Sequence, residues 1–169
     1  NEGIAMKTRK GRKVYPLTAA QKLHFYSSLY CPNKQLLNIG TSLTIAVEID
    51  FAEPKNAISQ AYERCEAMRL RFAQAKEGTV YQYVWPTEER NIEYFDFTGW
   101  QQQHAEDKLR EWTETPFELF DAPLNRVVMI TLPDGTQGAY LLVHHMTMDA
   151  QSLILFYRDI IEIYCSRMY

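Results

Sequence analysis

His144, His145 and Asp149 are the residues whose types and spacing best suit chemistry in this chain. A neutral imidazole takes up or gives back a proton near pH 7, and a carboxylate close by can orient or charge it. The run Gly138 to Val143 before them is apolar and β-prone, so it delivers the histidines to the end of a strand. A short loop follows, and Asp149 then precedes a strongly apolar helix from about Gln151. Successive side chains on a strand point to opposite faces, so the two rings diverge if the strand continues through both. One histidine is therefore expected to support and the other to act. The same divergence, with no further ligand at a usual spacing, argues against a metal held by His144, His145 and Asp149.

Such a site needs a scaffold, and the preceding sequence alternates strand and helix signals. Pro16 biases Tyr15 away from the helical region. Thr18 and Gln21 form a capping-box pattern, and Leu23, Tyr26 and Tyr30 recur at helical spacing as far as Pro32. From Ile39 to Ile49 the period changes to two, predicting a strand buried mostly on one face. Pro54 suits the first turn of a second helix, with Ile58, Ala61, Tyr62, Cys65 and Met68 as its apolar stripe.

Arg69 and Arg71 follow that stripe. Either could anchor an anionic ligand, but the expected role is structural, one of them holding a carboxylate while its stem packs on the helix. Two β-prone runs containing Phe72, Tyr81, Tyr83 and Trp85 flank Lys76 to Thr79 and predict a hairpin. Ile92 to Phe97 suggests a short strand, with Asp96 or Thr98 capping a polar helix over Gln101 to Thr113. Val127 to Leu132 and Gly138 to Val143 flank the turn Pro133-Asp134-Gly135-Thr136, a second hairpin that ends at the histidines. The last helix carries Leu153, Ile154, Phe156, Tyr157, Ile160, Ile161, Ile163 and Tyr164, a stripe too wide for a surface helix, so a second body is expected to cover it.

The chain has 169 residues, 46% of them hydrophobic, which suits one domain with a substantial core. Its net charge of -3 and the absence of basic residues among the aromatic ones argue against nucleic-acid binding. Lys7, Arg9, Lys10, Arg12 and Lys13 make residues 1–13 a basic arm, expected to be flexible, ahead of a folded unit over residues 14–169. Cys31, Cys65 and Cys165 show neither disulfide nor zinc spacing, pointing to a reducing cytoplasm. No run is apolar enough to span a membrane. The first residue is not methionine, so the chain is expected to be a processed or excised piece.

Four segments carry a family resemblance. His144-His145-x-x-x-Asp149-Ala150 resembles the His-His-x-x-x-Asp-Gly motif of the chloramphenicol acetyltransferase-like superfamily, which includes the condensation domains of nonribosomal peptide synthetases. Pro16-Leu17-Thr18-Ala19-Ala20-Gln21 resembles the opening of condensation domains. Arg64, Glu66, Arg69 and Phe72 match a second motif, with Cys65 where histidine is usual. Pro116-Phe117-Glu118-Leu119, with Pro123, Leu124 and Arg126, resembles the segment before two paired strands in that family.

The resemblance implies an α/β fold, the N-terminal lobe of a condensation domain, with a mixed, mostly antiparallel β-sheet flanked by helices. It implies a C-terminal lobe as partner, a tunnel between the two, and carrier proteins that bring phosphopantetheine thioesters to it, with no cofactor bound directly by this chain. His145 matches the histidine that assists attack of an amine on a thioester. His144 and Asp149 are then supporting, Asp149 through an ion pair with an arginine. Ala150 stands in place of the usual glycine, where its Cβ would obstruct a positive-φ backbone or crowd the tunnel. An isolated lobe is expected to be inactive and open to self-association through its uncovered face. Two other readings stay open: a stand-alone acyltransferase that uses coenzyme A as a homotrimer, and an inactive lobe that docks a carrier protein.

Overall fold

The first helix is fixed by its own cap. Thr18 Oγ1 accepts the Gln21 backbone N–H at 3.2 Å while the Gln21 side-chain oxygen accepts the Thr18 N–H at 2.9 Å, closing a capping box ahead of α1 (Ala19–Tyr30). The computed structural model describes residues 8–9, 11–45, 50–87 and 92–168. Gln21 and Phe25 are the buried residues of α1, whereas Leu23, Tyr26 and Tyr30 are exposed. The face is thus opposite to the one the apolar spacing suggests. Gln21 determines it: its side-chain amide donates to Gln82 Oε1 at 2.8 Å and to the Met146 carbonyl at 3.3 Å inside the fold.

Part of the basic arm lies among the described residues. β1 (Thr8–Arg9) pairs antiparallel with β2 (Arg12–Lys13), Arg9 ion-pairs with Asp121, and the Arg12 guanidinium lies over the Trp85 ring. Residues 1–7 and Lys10 lie outside the described residues. The next segment, β3 (Tyr15–Pro16), joins a small antiparallel sheet in which it pairs with β6 (Val80–Val84), itself paired with β5 (Leu70–Gln74).

The main sheet begins with β4 (Asn38–Ile45); Ala46 to Ile49, the remainder of the expected strand, lie outside the described residues. Helix α2 (Ala52–Arg64) follows, with Pro54 in its first turn, and leads to the hairpin β5 (Leu70–Gln74) and β6 (Val80–Val84). Then come β7 (Glu93–Asp96), α3 (Gln102–Glu114), β8 (Asn125–Thr131), β9 (Gln137–His144) and α4 (Ala150–Met168). Neither Asp96 nor Thr98 caps α3. The Asp96 carboxylate instead accepts the Thr98 N–H at 2.8 Å, closing a local turn, and Gln101 takes the cap position without a side-chain bond.

The larger sheet runs β4-β9-β8-β7, antiparallel except for the parallel pair β7 and β8. Leu141 and Val143 of β9, with Val127 and Met129 of β8, pack against Ile58 and Ala61 of α2 and Leu153 and Phe156 of α4. The alternate residues Tyr140, Leu142, Val128 and Ile130 pack against Ala105 and Trp112 of α3 on the other face. Both faces are covered, which is why β8 and β9 read as apolar runs rather than alternating ones. The expected mixed, mostly antiparallel sheet flanked by helices is therefore the fold found.

The outer surface of α4 leaves Ile154, Leu155 and Ile161 exposed. Among the described residues, no helix is long and apolar enough to cross a membrane.

Candidate active site

Strand β9 stops at His144, where pairing with Asn38 ends the ladder, and His145 already lies in the following turn. The chain turns because His144 satisfies its own neighbours. The His144 carbonyl accepts the Thr147 N–H at 2.9 Å and the Thr147 hydroxyl at 2.8 Å, while His144 Nδ1 accepts the Met146 N–H at 3.2 Å. Met146 is buried with Leu17, Phe25 and Phe72 below α1, and Met148 with Leu153 and Phe156 beside α4. Two apolar anchors on opposite sides thus pin the turn.

The acceptor role of Nδ1 assigns the proton of neutral His144 to Nε2. Burial, with smaller contributions from His24 and His145, pushes this imidazole down to about 4. At neutral pH it is an uncharged strut at the end of the strand. A cleft of about 300 Å³ lined by Phe25, Lys34, Phe117, Phe120 and His144 lies on its side of the turn, and His145 does not line it.

His145 is placed differently. Its backbone N–H donates to the Leu37 carbonyl at 2.7 Å, and its partly buried ring stacks on His24, with centroids 4.3 Å apart and planes inclined by 29°. Nδ1 is shielded from solvent without a hydrogen-bond partner among the described residues.

His24 is absent from the motif reading. The signal lay in Gln21: a capping residue that faces inward places His24, one helical turn on, and Phe25 beside it on the buried face.

Asp149 is the N-cap of α4. Its carboxylate accepts the Ser152 N–H at 2.8 Å and the Ser152 hydroxyl at 2.7 Å, and its carbonyl accepts the Leu153 N–H at 3.0 Å. The Ser152 bonds hold the carboxyl below its usual range. No arginine lies within ion-pair distance of Asp149 among the described residues. Ala150 is the first residue of α4, and Asp121 is the one non-glycine residue with positive φ among those described. The expected backbone obstruction at Ala150 therefore does not arise, because the chain has entered the helix there.

Arg69 and Arg71 stand apart from this turn. Arg69 donates to the Trp85 carbonyl at 2.7 Å and the Glu63 carbonyl at 3.2 Å, and buried Arg71 donates to the Leu70 carbonyl at 3.0 Å. Main-chain carbonyls take the place of the expected carboxylate, tying α2 to the small sheet.

The chain resembles known proteins over most of its length. A family model of the condensation domain matches residues 11–168. Surfactin synthase subunit 1 of Bacillus subtilis (strain 168) is 30% identical over 156 residues, covering 89% of this chain and 4% of that protein. Tyrocidine synthase 3 of Brevibacillus parabrevis is 29% identical over 163 residues, covering 96% of this chain and 2% of that protein. Among solved structures, the first condensation domain of the calcium-dependent antibiotic synthetase superposes with a TM-score of 0.77 at 25% identity, over 87% of this chain and 36% of that one. The starter condensation domain of rhizomide synthetase, at 22% identity and a TM-score of 0.77, has the same fold over 90% of this chain and 37% of its own. The chain thus spans little more than a third of these solved domains and a few per cent of the synthetases.

Proposed function

The chain belongs to the condensation-domain family, and from that membership we propose that it is the N-terminal lobe of a domain that joins a carrier-bound acyl thioester to an amine. The observation that carries this reading is His145, held in the turn directly after β9 with its Nδ1 shielded and its ring stacked on His24.

In the proposed reaction the amine nitrogen attacks the thioester carbonyl, forming the C–N bond, and the C–S bond breaks as the tetrahedral intermediate collapses. His145 takes the proton that the nitrogen gives up and returns it to the departing thiolate. A general base so placed contributes about 10²- to 10⁴-fold. The thioesters are carried on phosphopantetheine arms of partner carrier proteins, so the chain needs no cofactor of its own. His144 and the Asp149 cap hold the turn that presents His145.

The C-terminal lobe is the proposed cover for the exposed Ile154, Leu155 and Ile161 of α4 and Leu23, Tyr26 and Tyr30 of α1. Without it those surfaces favour self-association. We place the reaction in the cytoplasm, where the free thiols of Cys31, Cys65 and Cys165 stay reduced.

The test is to incubate a protein containing this chain and its C-terminal lobe with an acyl-loaded and an aminoacyl-loaded carrier and to weigh the products. An amide on the acceptor carrier is expected. Acyl transfer to a free small-molecule acceptor from coenzyme A, with none from carriers, would point to the acetyltransferase reading instead.

A further inference from the structure

The proposed reaction leaves one imidazole beside the site without a task. His24 lies on the inward side of α1, and its ring stacks on His145 at 4.3 Å. His145 Nδ1 makes no hydrogen bond among the described residues, so no bond at that atom fixes the ring's outer side-chain torsion. The helix that carries His24 is locked to the turn that carries His145, because the Gln21 amide donates to the Met146 carbonyl at 3.3 Å and to Gln82 at 2.8 Å. A flat partner on a fixed helix is thereby set against a ring that must keep one plane.

Building on the reading of His145 as the group that handles the amine proton, we propose that His24 is a positioning residue, holding the His145 imidazole in the plane that keeps Nε2 available. Two imidazolium rings at this spacing repel, so the pair carries one proton at a time. Burial first, and the neighbouring His145 second, lower the proton affinity of His24. The other titratable groups beside the pair are His144 at the end of β9, kept neutral first by burial and then by the two rings, and the Asp149 carboxylate at the start of α4. His24 remains an uncharged support while its neighbour cycles.

The first arm of the test follows the histidine Cε1 proton resonances of the 169-residue chain by NMR. His145 should show an upfield ring-current shift that persists in His24→Phe and is lost in His24→Ala, and the His24 midpoint should rise in His145→Phe. The second arm measures kcat and KM in the longer protein. His24→Ala should lower kcat about 10- to 100-fold at nearly constant KM, with His24→Phe restoring most of it. A His145 resonance indifferent to His24→Ala overturns the proposal, and so does an unchanged kcat for His24→Ala beside an active wild type. An inactive wild type overturns the condensation reading instead, and the resonance arm then decides the stack alone.

Discussion

The Nδ1 atom of His144 accepts the Met146 backbone N–H at 3.2 Å, so the first histidine of the pair builds the turn that displays the second. His144 is 6% exposed, and its imidazole is pushed down to about 4, chiefly by burial. An unfolded chain binds this proton near pH 6.5. Between about pH 6.5 and 4 the unfolded state therefore holds more protons than the folded one, and stability falls as pH falls through that window. The loss is on the order of 3 kcal/mol. His144→Asn supplies an acceptor without a titrating ring, so urea unfolding from pH 7 to 4 should show a flatter decline for the variant than for wild type. Equal slopes would contradict a buried neutral His144.

Asp149 should behave as a helix cap in this chain. Asp149→Ala removes the acceptor for the Ser152 N–H and is expected to lower the melting temperature by about 2–4 °C, whereas Asp149→Asn or Asp149→Ser should recover most of the loss. Thermal melts followed by circular dichroism decide it. If Asp149→Asn were as damaging as Asp149→Ala, the negative charge rather than the cap would be what matters.

Tyr83 is fully buried and donates its hydroxyl to Asp121 Oδ1 at 2.7 Å, and Asp121 in turn ion-pairs with Arg9. Burial, reinforced by Asp121, pushes the tyrosine hydroxyl up to about 12. Tyr83→Phe should cost about 1 kcal/mol and Asp121→Ala about 2–3 kcal/mol, because only the second leaves a buried hydroxyl without its acceptor and puts a methyl side chain at positive φ. Denaturant titrations measure both, and the opposite order would count against the network.

The orientation of α1 gives a further contrast. Leu23→Lys, at an exposed position, should change stability by less than about 0.5 kcal/mol, whereas Phe25→Ala, in the cluster with Phe72 and Met146, should cost about 3–5 kcal/mol. Similar losses at the two positions would reverse the assignment of faces.

That contrast also marks where the sequence stopped being legible. Both hairpins, the four helices and the apolar sheet faces follow from local period and turn chemistry, as at Pro133 to Thr136, because each is decided by residues near one another in the chain. The α1 face is decided by Gln21 reaching Gln82 and Met146, contacts between distant segments that apolar counting does not register. The same gap hid His24. The carbonyl partners of Arg69 were hidden for a related reason: its terminal guanidinium nitrogens bond the main-chain carbonyls of Trp85 and Glu63, which carry no residue signature. At Ala150 a family pattern suggested a constrained backbone, and the Asp149 cap had already placed that residue in a helix.

The most direct measurement of the proposed role of His145 compares wild type with His145→Ala in the longer protein, using loaded carrier proteins and mass spectrometry of the acceptor carrier. Wild type should form the amide, and the substitution should slow it by about 10²- to 10⁴-fold with the fold retained by circular dichroism. Amide formation by His145→Ala at the wild-type rate would contradict that role.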